Sequence, residues 1–407
     1  MKCRFCNSTL KKNFADLGNA PPSNSFKNIN QIYNPEIFFP LQVFVCSSCL
    51  LVQTKDFVEK EKLFTNEYVY FSSASSSWLE HARVYSEHII SKLNLNKSSM
   101  VIEIASNDGY LLVNFLRKKI PCLGIEPTES TARVAIKKNI PVIREFLTKE
   151  LSLKIRKKYK ADLICANNVY AHVPDINDFT RGLKNILKPN GTITLEFPHL
   201  LNLIKFNQFD TIYHEHYSYL SLIVVKKILK NNHLRIYEVQ KLNTHGGSLR
   251  VYACHENSSI KRDDSVVKII NEEILFGLKK IGTYLNFQDC IYKIANNFLL
   301  FLIKEKNKNK KIIGYGAAAK GNTLLNFCGI KSNLLDFVCD ASPSKQNKLL
   351  PGSNIVVLPP SEIKKFKPDW IIIFPWNIFN EIINELSYVR AWNCKFVTTI
   401  PNLKVIN

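Results

Sequence analysis

The stretch Val101-Ile102-Glu103-Ile104-Ala105-Ser106-Asn107-Asp108-Gly109-Tyr110 decides the fold. Residues 101–105 read as a buried strand running into a turn, and Gly109 lets the turn's backbone approach a ligand closely. Residues 111–117 then favour a helix. Some twenty residues on, Gly124-Ile125-Glu126-Pro127 ends a second strand on a carboxylate, placed to accept both hydroxyls of a ribose. Only Gly109 is glycine, so this is not the G-x-G-x-x-G loop of a dinucleotide site. Acidic Glu103 and Asp108 border the place where a pyrophosphate would sit. Negative charge there repels phosphates and suits a ligand with a sulfonium and an ammonium group. S-adenosylmethionine has both, and its expected contacts are Glu103, Ser106, Asn107, Asp108, Gly109, Tyr110, Glu126 and Pro127.

Outward from this loop, strands are expected at 101–105, 122–126, 162–166 and 192–197, with helical segments between. That alternation predicts βαβ units and a mainly parallel sheet. Cys165-Ala166-Asn167-Asn168 ends a strand in amides, at the crevice where open α/β sheets bind ligands, which adds Asn167 to the cofactor contacts. Upstream, a serine-rich turn (Ser72, Ser73, Ser75, Ser76, Ser77) leads into a helical pattern at 78–93. Downstream, a long helical stretch at 266–306 precedes a second alternating series at 311–315, 335–339, 370–374 and 395–399. The expected fold is α/β: a Rossmann-like S-adenosylmethionine-dependent methyltransferase domain, with an N-terminal zinc-binding knuckle and a C-terminal Rossmann-like α/β domain. The expected division is 1–62, 63–260 and 261–407.

The first part is too poor in periodic apolar residues to fold on burial alone, so something else must staple it. Cys3-Arg4-Phe5-Cys6 and Cys46-Ser47-Ser48-Cys49 each put two thiols on a tight turn. Together Cys3, Cys6, Cys46 and Cys49 complete a tetrahedral Zn2+ shell with no open position, which makes the metal structural. The other seven of the eleven cysteines stand singly, as reduced thiols do, and the chain is read as cytoplasmic.

The 55 Lys+Arg against 34 Asp+Glu give a net charge of +21. Much of the excess is solvated lysine, without the interleaved aromatics and glycines of a nucleic-acid platform. Nucleic acid is therefore not an expected partner, and an anionic, phosphate-bearing metabolite is, through long-range steering. No apolar run is long enough to span a membrane, and Met1-Lys2-Cys3-Arg4 lacks the apolar stretch of a signal peptide.

Phe209-Asp210-Thr211-Ile212-Tyr213-His214-Glu215-His216-Tyr217-Ser218 packs two imidazoles, carboxylates and two phenols into one stretch before an expected helix near Leu220. Histidine and tyrosine are suited to take a proton or hold an oxyanion near neutral pH. The His-Glu-His spacing is not that of a zinc protease helix.

The four cysteines, the loop at 102–110 and the string Tyr213-His214-Glu215-His216 resemble the three-part sugar C-methyltransferases that act on nucleotide-linked ketosugars, over essentially the whole chain. The resemblance implies a nucleotide-diphosphate sugar substrate. It also implies methylation at carbon, after loss of a proton beside a ketone and attack of the enolate on the sulfonium methyl. His216 is then the leading general base and Tyr213 its rival or the oxyanion donor. Glu215 orients a partner, and Asn168 and His172 complete the pocket. By the same resemblance Tyr68 and Tyr70 close over the methyl donor or the sugar.

Thr244-His245-Gly246-Gly247-Ser248-Leu249-Arg250 joins a flexible turn to a fixed cation; it either binds substrate through His245 and Arg250 or marks the start of a strand. Ile312-Ile313-Gly314-Tyr315-Gly316-Ala317-Ala318-Ala319-Lys320 fits the G-x-G-x-x-A fingerprint, with Asp340 ending the next strand. Alone it supports a nicotinamide enzyme. The family resemblance gives this domain to the nucleotide-sugar side, with Lys320 and the helix N-terminus on a phosphate. O- or N-methylation stays open, as the same base cluster would deprotonate a hydroxyl, and oligomeric state cannot be read.

Overall fold

Short apolar runs buried on both faces are what parallel sheets demand, and every residue of Val101–Ile104 and Cys122–Ile125 is buried. The computed structural model describes residues 1–55 and 71–406. Its seven-stranded sheet runs Leu234–Leu242, Ser248–His255, Leu187–Pro198, Ala161–Asn167, Val101–Ile104, Cys122–Ile125, Val142–Ile143. From Leu187–Pro198 onward the neighbours are parallel, and the first two strands are antiparallel. Val101–Ile104 lies between Cys122–Ile125 and Ala161–Asn167, so the strand order reverses beside it, and the crevice at that point is where ligands bind in such sheets.

The second series forms a six-stranded sheet ordered Val357–Leu358, Val338–Cys339, Ile312–Tyr315, Trp370–Ile373, Lys395–Thr398, Lys404–Ile406, parallel except for the last strand. The helical stretch between the sheets is not continuous. Ser265–Phe276 ends at Gly277 in left-handed conformation (φ 100°), and Phe287–Lys306 follows after the short helix Gly282–Leu285. Glycine in that conformation stops a helix at little steric cost, which apolar periodicity alone does not reveal.

The N-terminal part holds more sheet than its composition promised. Lys12–Ala20, Phe39–Val45 and Val52–Thr54 form an antiparallel sheet burying Phe14, Leu17, Leu41, Val43 and Val45. Its fourth strand, Ser218–Tyr219, comes from the end of the histidine-rich stretch. Apolar side chains from these three larger sheets join one continuous core. Among the described residues no helix is long and apolar enough to cross a membrane.

Candidate active site

The Cys-x-x-Cys turns fold alike. Asn7 and Leu50, each following a second cysteine, are left-handed (φ 59° and 71°), and their amides return to the carbonyls of Cys3 and Cys46 at 2.9 and 2.8 Å. The four sulfurs lie within 4.8 Å of one another, with Cys3–Cys49 and Cys6–Cys46 both at 3.5 Å. A tetrahedron with Zn–S of about 2.3 Å has edges near 3.8 Å, so the set fits Zn2+. Gln53, fully buried, donates to Cys3 Sγ at 3.2 Å and so orients a ligand.

Above the reversal point of the first sheet lies a cavity of about 450 Å³. Ala105, Asn107, Asn168 and His245 all line it, and all four have left-handed backbones (φ 56°, 47°, 52° and 53°). For residues other than glycine each such conformation costs about 1 kcal/mol or more, so the surrounding structure is holding backbone in place around a ligand site. Tyr110, Glu126, Pro127 and Asn167 line the same space. Glu126 spends one oxygen on the Thr128 amide (2.8 Å) and the other on the Asn107 amide (2.9 Å), which fixes its carboxylate while leaving lone pairs for a ribose.

Glu103, Ser106, Asp108 and Gly109 are buried and do not line the cavity. Burial, then the charges of Asp108 and Glu126, push the Glu103 carboxyl well above the usual carboxylate range. Ser106 packs against Gly124, where an added Cβ would lie 2.4 Å from its Oγ. Asp108 accepts the Ser73 amide at 3.2 Å and Asn107 the Ser72 amide at 2.9 Å, so the loop holds the turn that leads into helix Ser76–Leu93. Gly109 (φ 76°) serves packing, since a Cβ there would meet Ile140 Cδ1 at 2.4 Å and Ala135 Cβ at 3.2 Å.

The opposite wall carries Tyr213, Glu215, His216 and His172. The His216 ring lies 4.0 Å from that of Tyr213 and 4.7 Å from that of His172, centroid to centroid. His216 Nδ1 is 2.8 Å from the Thr211 carbonyl, which can only accept, so Nδ1 carries the hydrogen and Nε2 the lone pair. Burial, with His172, His245 and Lys320 nearby, holds His216 well below the ordinary imidazole range. It is therefore a neutral base at pH 7. Burial likewise brings His172 down to about 4. Glu215 accepts from Asn24 Nδ2 at 2.5 Å, a partner 191 residues away that no local pattern announces. His214 turns to the Phe39 ring instead. Asn168 has a side-chain amide with no hydrogen-bond partner among the described residues. Tyr68 and Tyr70 lie outside the described residues.

His245 lines the cavity, but Arg250 does not. Its guanidinium pairs with fully buried Glu196 at 2.8 Å and lies over the Tyr85 ring at 4.2 Å. Glu196 also meets His81 at 3.0 Å and Thr244 Oγ1 at 3.3 Å. Trp78, which the sequence did not single out, stacks on His81 at 4.8 Å, tilts against His245 at 5.2 Å and lines the cavity. Thr244–Gly246 is thus both a cavity turn and the approach to strand Ser248–His255, and Arg250 is structural.

The C-terminal sheet closes the cavity with Ala318, Ala319, Lys320, Lys345, Pro375 and Asn377. Its glycine fingerprint is filled from within. A Cβ on Gly314 or Gly321 would meet Phe374 at 2.5 or 2.9 Å, and one on Gly316 would meet Pro375 at 2.3 Å. Asp340 accepts the amides of Ala317 (2.7 Å) and Ser342 (2.8 Å) as Glu126 does those of its own loop, but unlike Glu126 it does not line the cavity.

Comparison with known proteins agrees part by part. Residues 3–64 match the family model of a zinc binding domain, 78–239 that of a methyltransferase domain, and 243–401 that of a C-methyltransferase C-terminal domain. Solved structures that it resembles include magnesium protoporphyrin IX methyltransferase of Synechocystis PCC 6803 with bound S-adenosylmethionine (15% identity, 44% of this chain and 79% of that one, TM-score 0.34). Another is an S-adenosylmethionine-dependent methyltransferase of Clostridium acetobutylicum ATCC 824 (12%, 44% and 92%, TM-score 0.35). The domain matches and the cavity define a methyltransferase that uses S-adenosylmethionine and carries a four-cysteine zinc site. Over 408 aligned residues, covering all of this chain and 97% of the other, it is 30% identical to C-methyltransferase NovU of Streptomyces niveus, and it belongs to that C-methyltransferase family.

Proposed function

We propose that this enzyme, divided at 62/63 and 260/261, methylates a carbon of a nucleotide-diphosphate-linked ketosugar through a base-generated enolate. The observation that carries the reading is His216: a neutral imidazole whose Nδ1–H is fixed on Thr211, leaving Nε2 as the base in a cavity shared by both sheets. Bound S-adenosylmethionine supplies an electrophilic methyl, bordered by Asn107, Tyr110, Glu126, Pro127 and Asn167. His216 Nε2 takes the proton beside the ketone. Such a proton is less acidic than imidazolium by about 10 pKa units, or about 14 kcal/mol, so a lone base does not suffice. A well-aimed oxyanion donor contributes about 3–4 kcal/mol, and in this reading the Tyr213 hydroxyl and the Asn168 amide share that work, with His172 completing the wall. Glu215, held by Asn24, fixes the turn that presents Tyr213 and His216. The high positive charge favours encounter with a pyrophosphate.

The test is methyl transfer from labelled S-adenosylmethionine to a panel of nucleoside-diphosphate ketosugars, with the position of the new methyl read by NMR. Carbon methylation of one member is the expected result. Tight donor binding with transfer to oxygen, nitrogen or nothing across the panel would sink the proposal.

A further inference from the structure

Among the described residues that line the cavity there are two lysines and no arginine. Lys345 is committed: its Nζ donates to the Ala317 carbonyl at 2.9 Å and lies 3.6 Å from Asp340. Lys320 has one neutral hydrogen-bond partner, Asn377 Oδ1 at 2.7 Å, and sits over the Trp376 ring at 4.2 Å. Two of its three N–H groups therefore have no acceptor among the described residues.

Three contacts fix where that ammonium stands. Lys320 opens helix Ala319–Phe327, and one turn on, Thr323 Oγ1 donates to the carbonyl of Ile212, the residue before Tyr213, at 2.8 Å. Trp376 donates its indole N–H to Asp210 at 2.7 Å. The same ring closes over Gly246, where a Cβ would lie 2.3 Å from it, next to His245. Lys320 is thus bracketed by the segment leading to Tyr213 and His216 and by the His245 turn. The glycines of the preceding loop are covered by Phe374 and Pro375.

We propose that Lys320 is a catalytic residue whose ammonium hydrogen-bonds the oxyanion of the deprotonated ketosugar while His216 holds the abstracted proton. This role rests on the ketosugar reading above. The C–H bond beside the ketone breaks, its proton goes to His216 Nε2, and its electron pair becomes the new C=C while the carbonyl π pair moves to oxygen. That oxygen is the charge Lys320 meets. The enolate carbon then bonds the methyl as the S–CH3 bond breaks, its pair returning to sulfur, the carbonyl re-forms, and His216 releases its proton to solvent.

Among the described residues, the charged and titratable groups facing Lys320 are Asp210, His216 and His245. Burial brings the lysine down to about 8, with the Asp210 charge opposing, whereas both imidazoles are neutral at and above pH 7. Its loss of a proton therefore limits activity on the alkaline side.

The experiment measures deuterium entry from D2O into a panel of nucleoside-diphosphate ketosugars bound with S-adenosylhomocysteine, across pH 6–10. Wild type exchanges one of them, with a fall near pH 8. Lys320→Met loses about 100-fold or more in exchange at unchanged S-adenosylhomocysteine affinity, the loss expected for one oxyanion donor. Lys320→Arg keeps exchange within about tenfold and loses the fall near pH 8, because guanidinium stays charged. Asp210→Asn moves that fall to lower pH. Exchange at the wild-type rate in Lys320→Met overturns the role. If that variant does not fold, Lys320→Arg decides, and an unchanged alkaline fall overturns it. No exchange by wild type on any ketosugar overturns the ketosugar reading itself.

Discussion

The Thr54 hydroxyl donates to the backbone carbonyl of His216 at 3.1 Å, and the Thr54 amide to the carbonyl of Tyr217 at 3.2 Å. Thr54 follows Gln53, which is bonded to Cys3 Sγ and paired with Ser218 across the N-terminal sheet. Two residues thus connect a zinc ligand to the backbone of His216. Metal binding free energy stabilises the fold of such a knuckle. Stripping zinc with a strong chelator should accordingly raise amide hydrogen exchange in 213–219 together with 1–54, while S-adenosylmethionine affinity changes little. Unchanged protection in 213–219 after the metal has left would show the two to be uncoupled.

His216→Ala should cut turnover by about 10²–10⁴-fold, the range for a general base, and Tyr213→Phe should cut it by a smaller factor. Donor affinity, read by calorimetry, should stay within about threefold in both, because neither side chain is among the turns at 105–110 and 126–127. Wild-type turnover in both variants would remove this wall of the cavity from the chemistry.

The half-buried imidazoles of the cavity give a pH dependence of stability with a definite sign. His172 and His245 titrate at about 4 in the folded chain and near 6.5 unfolded, burial being the first cause of each shift. Between those values the unfolded chain binds more protons, so stability rises with pH from about 4 to 6.5 and falls as acid is added. Each group contributes on the order of 3 kcal/mol over that window. Urea midpoints at pH 4.5, 5.5 and 7 check this, and a flat series would contradict it. The activity limb of His216 should likewise lie well below pH 6.5.

Gly109→Ala tests whether the glycine is there for ligand approach or for packing. A left-handed alanine costs about 1 kcal/mol, and its Cβ must displace Ile140 and crowd Ala135. The expected result is a loss of about 1–3 kcal/mol in thermal unfolding, shared by free and donor-bound protein. Full stability with weakened donor binding would restore the ligand role.

The parallel strands were legible because full burial writes itself as apolar runs, and the cysteine turns because thiolate geometry fixes their spacing. His216 and Tyr213 were legible as a dense local string. What stayed hidden depends on distant pairing. Asn24 reaches Glu215, Trp376 reaches Asp210, and Ser218–Tyr219 completes the N-terminal sheet, each across more than 150 residues of sequence. Glu103 and Arg250 misled for a different reason: a charged residue beside a ligand loop reads as a contact, and only burial shows whether the charge survives or is spent within the fold.

Arg250 gives that distinction a direct test. Its guanidinium is matched to Glu196, whose carboxyl, although burial opposes it, is held below the usual range by His81 and Arg250. Removing one partner of a buried pair leaves the other uncompensated and costs about 3–5 kcal/mol, whereas losing a substrate contact leaves folding intact. Arg250→Met should thus lower unfolding free energy by roughly that amount in chemical denaturation. It should also change Trp78 emission, because Glu196 holds His81, which stacks on the indole. Wild-type stability with only a raised KM would return Arg250 to the substrate.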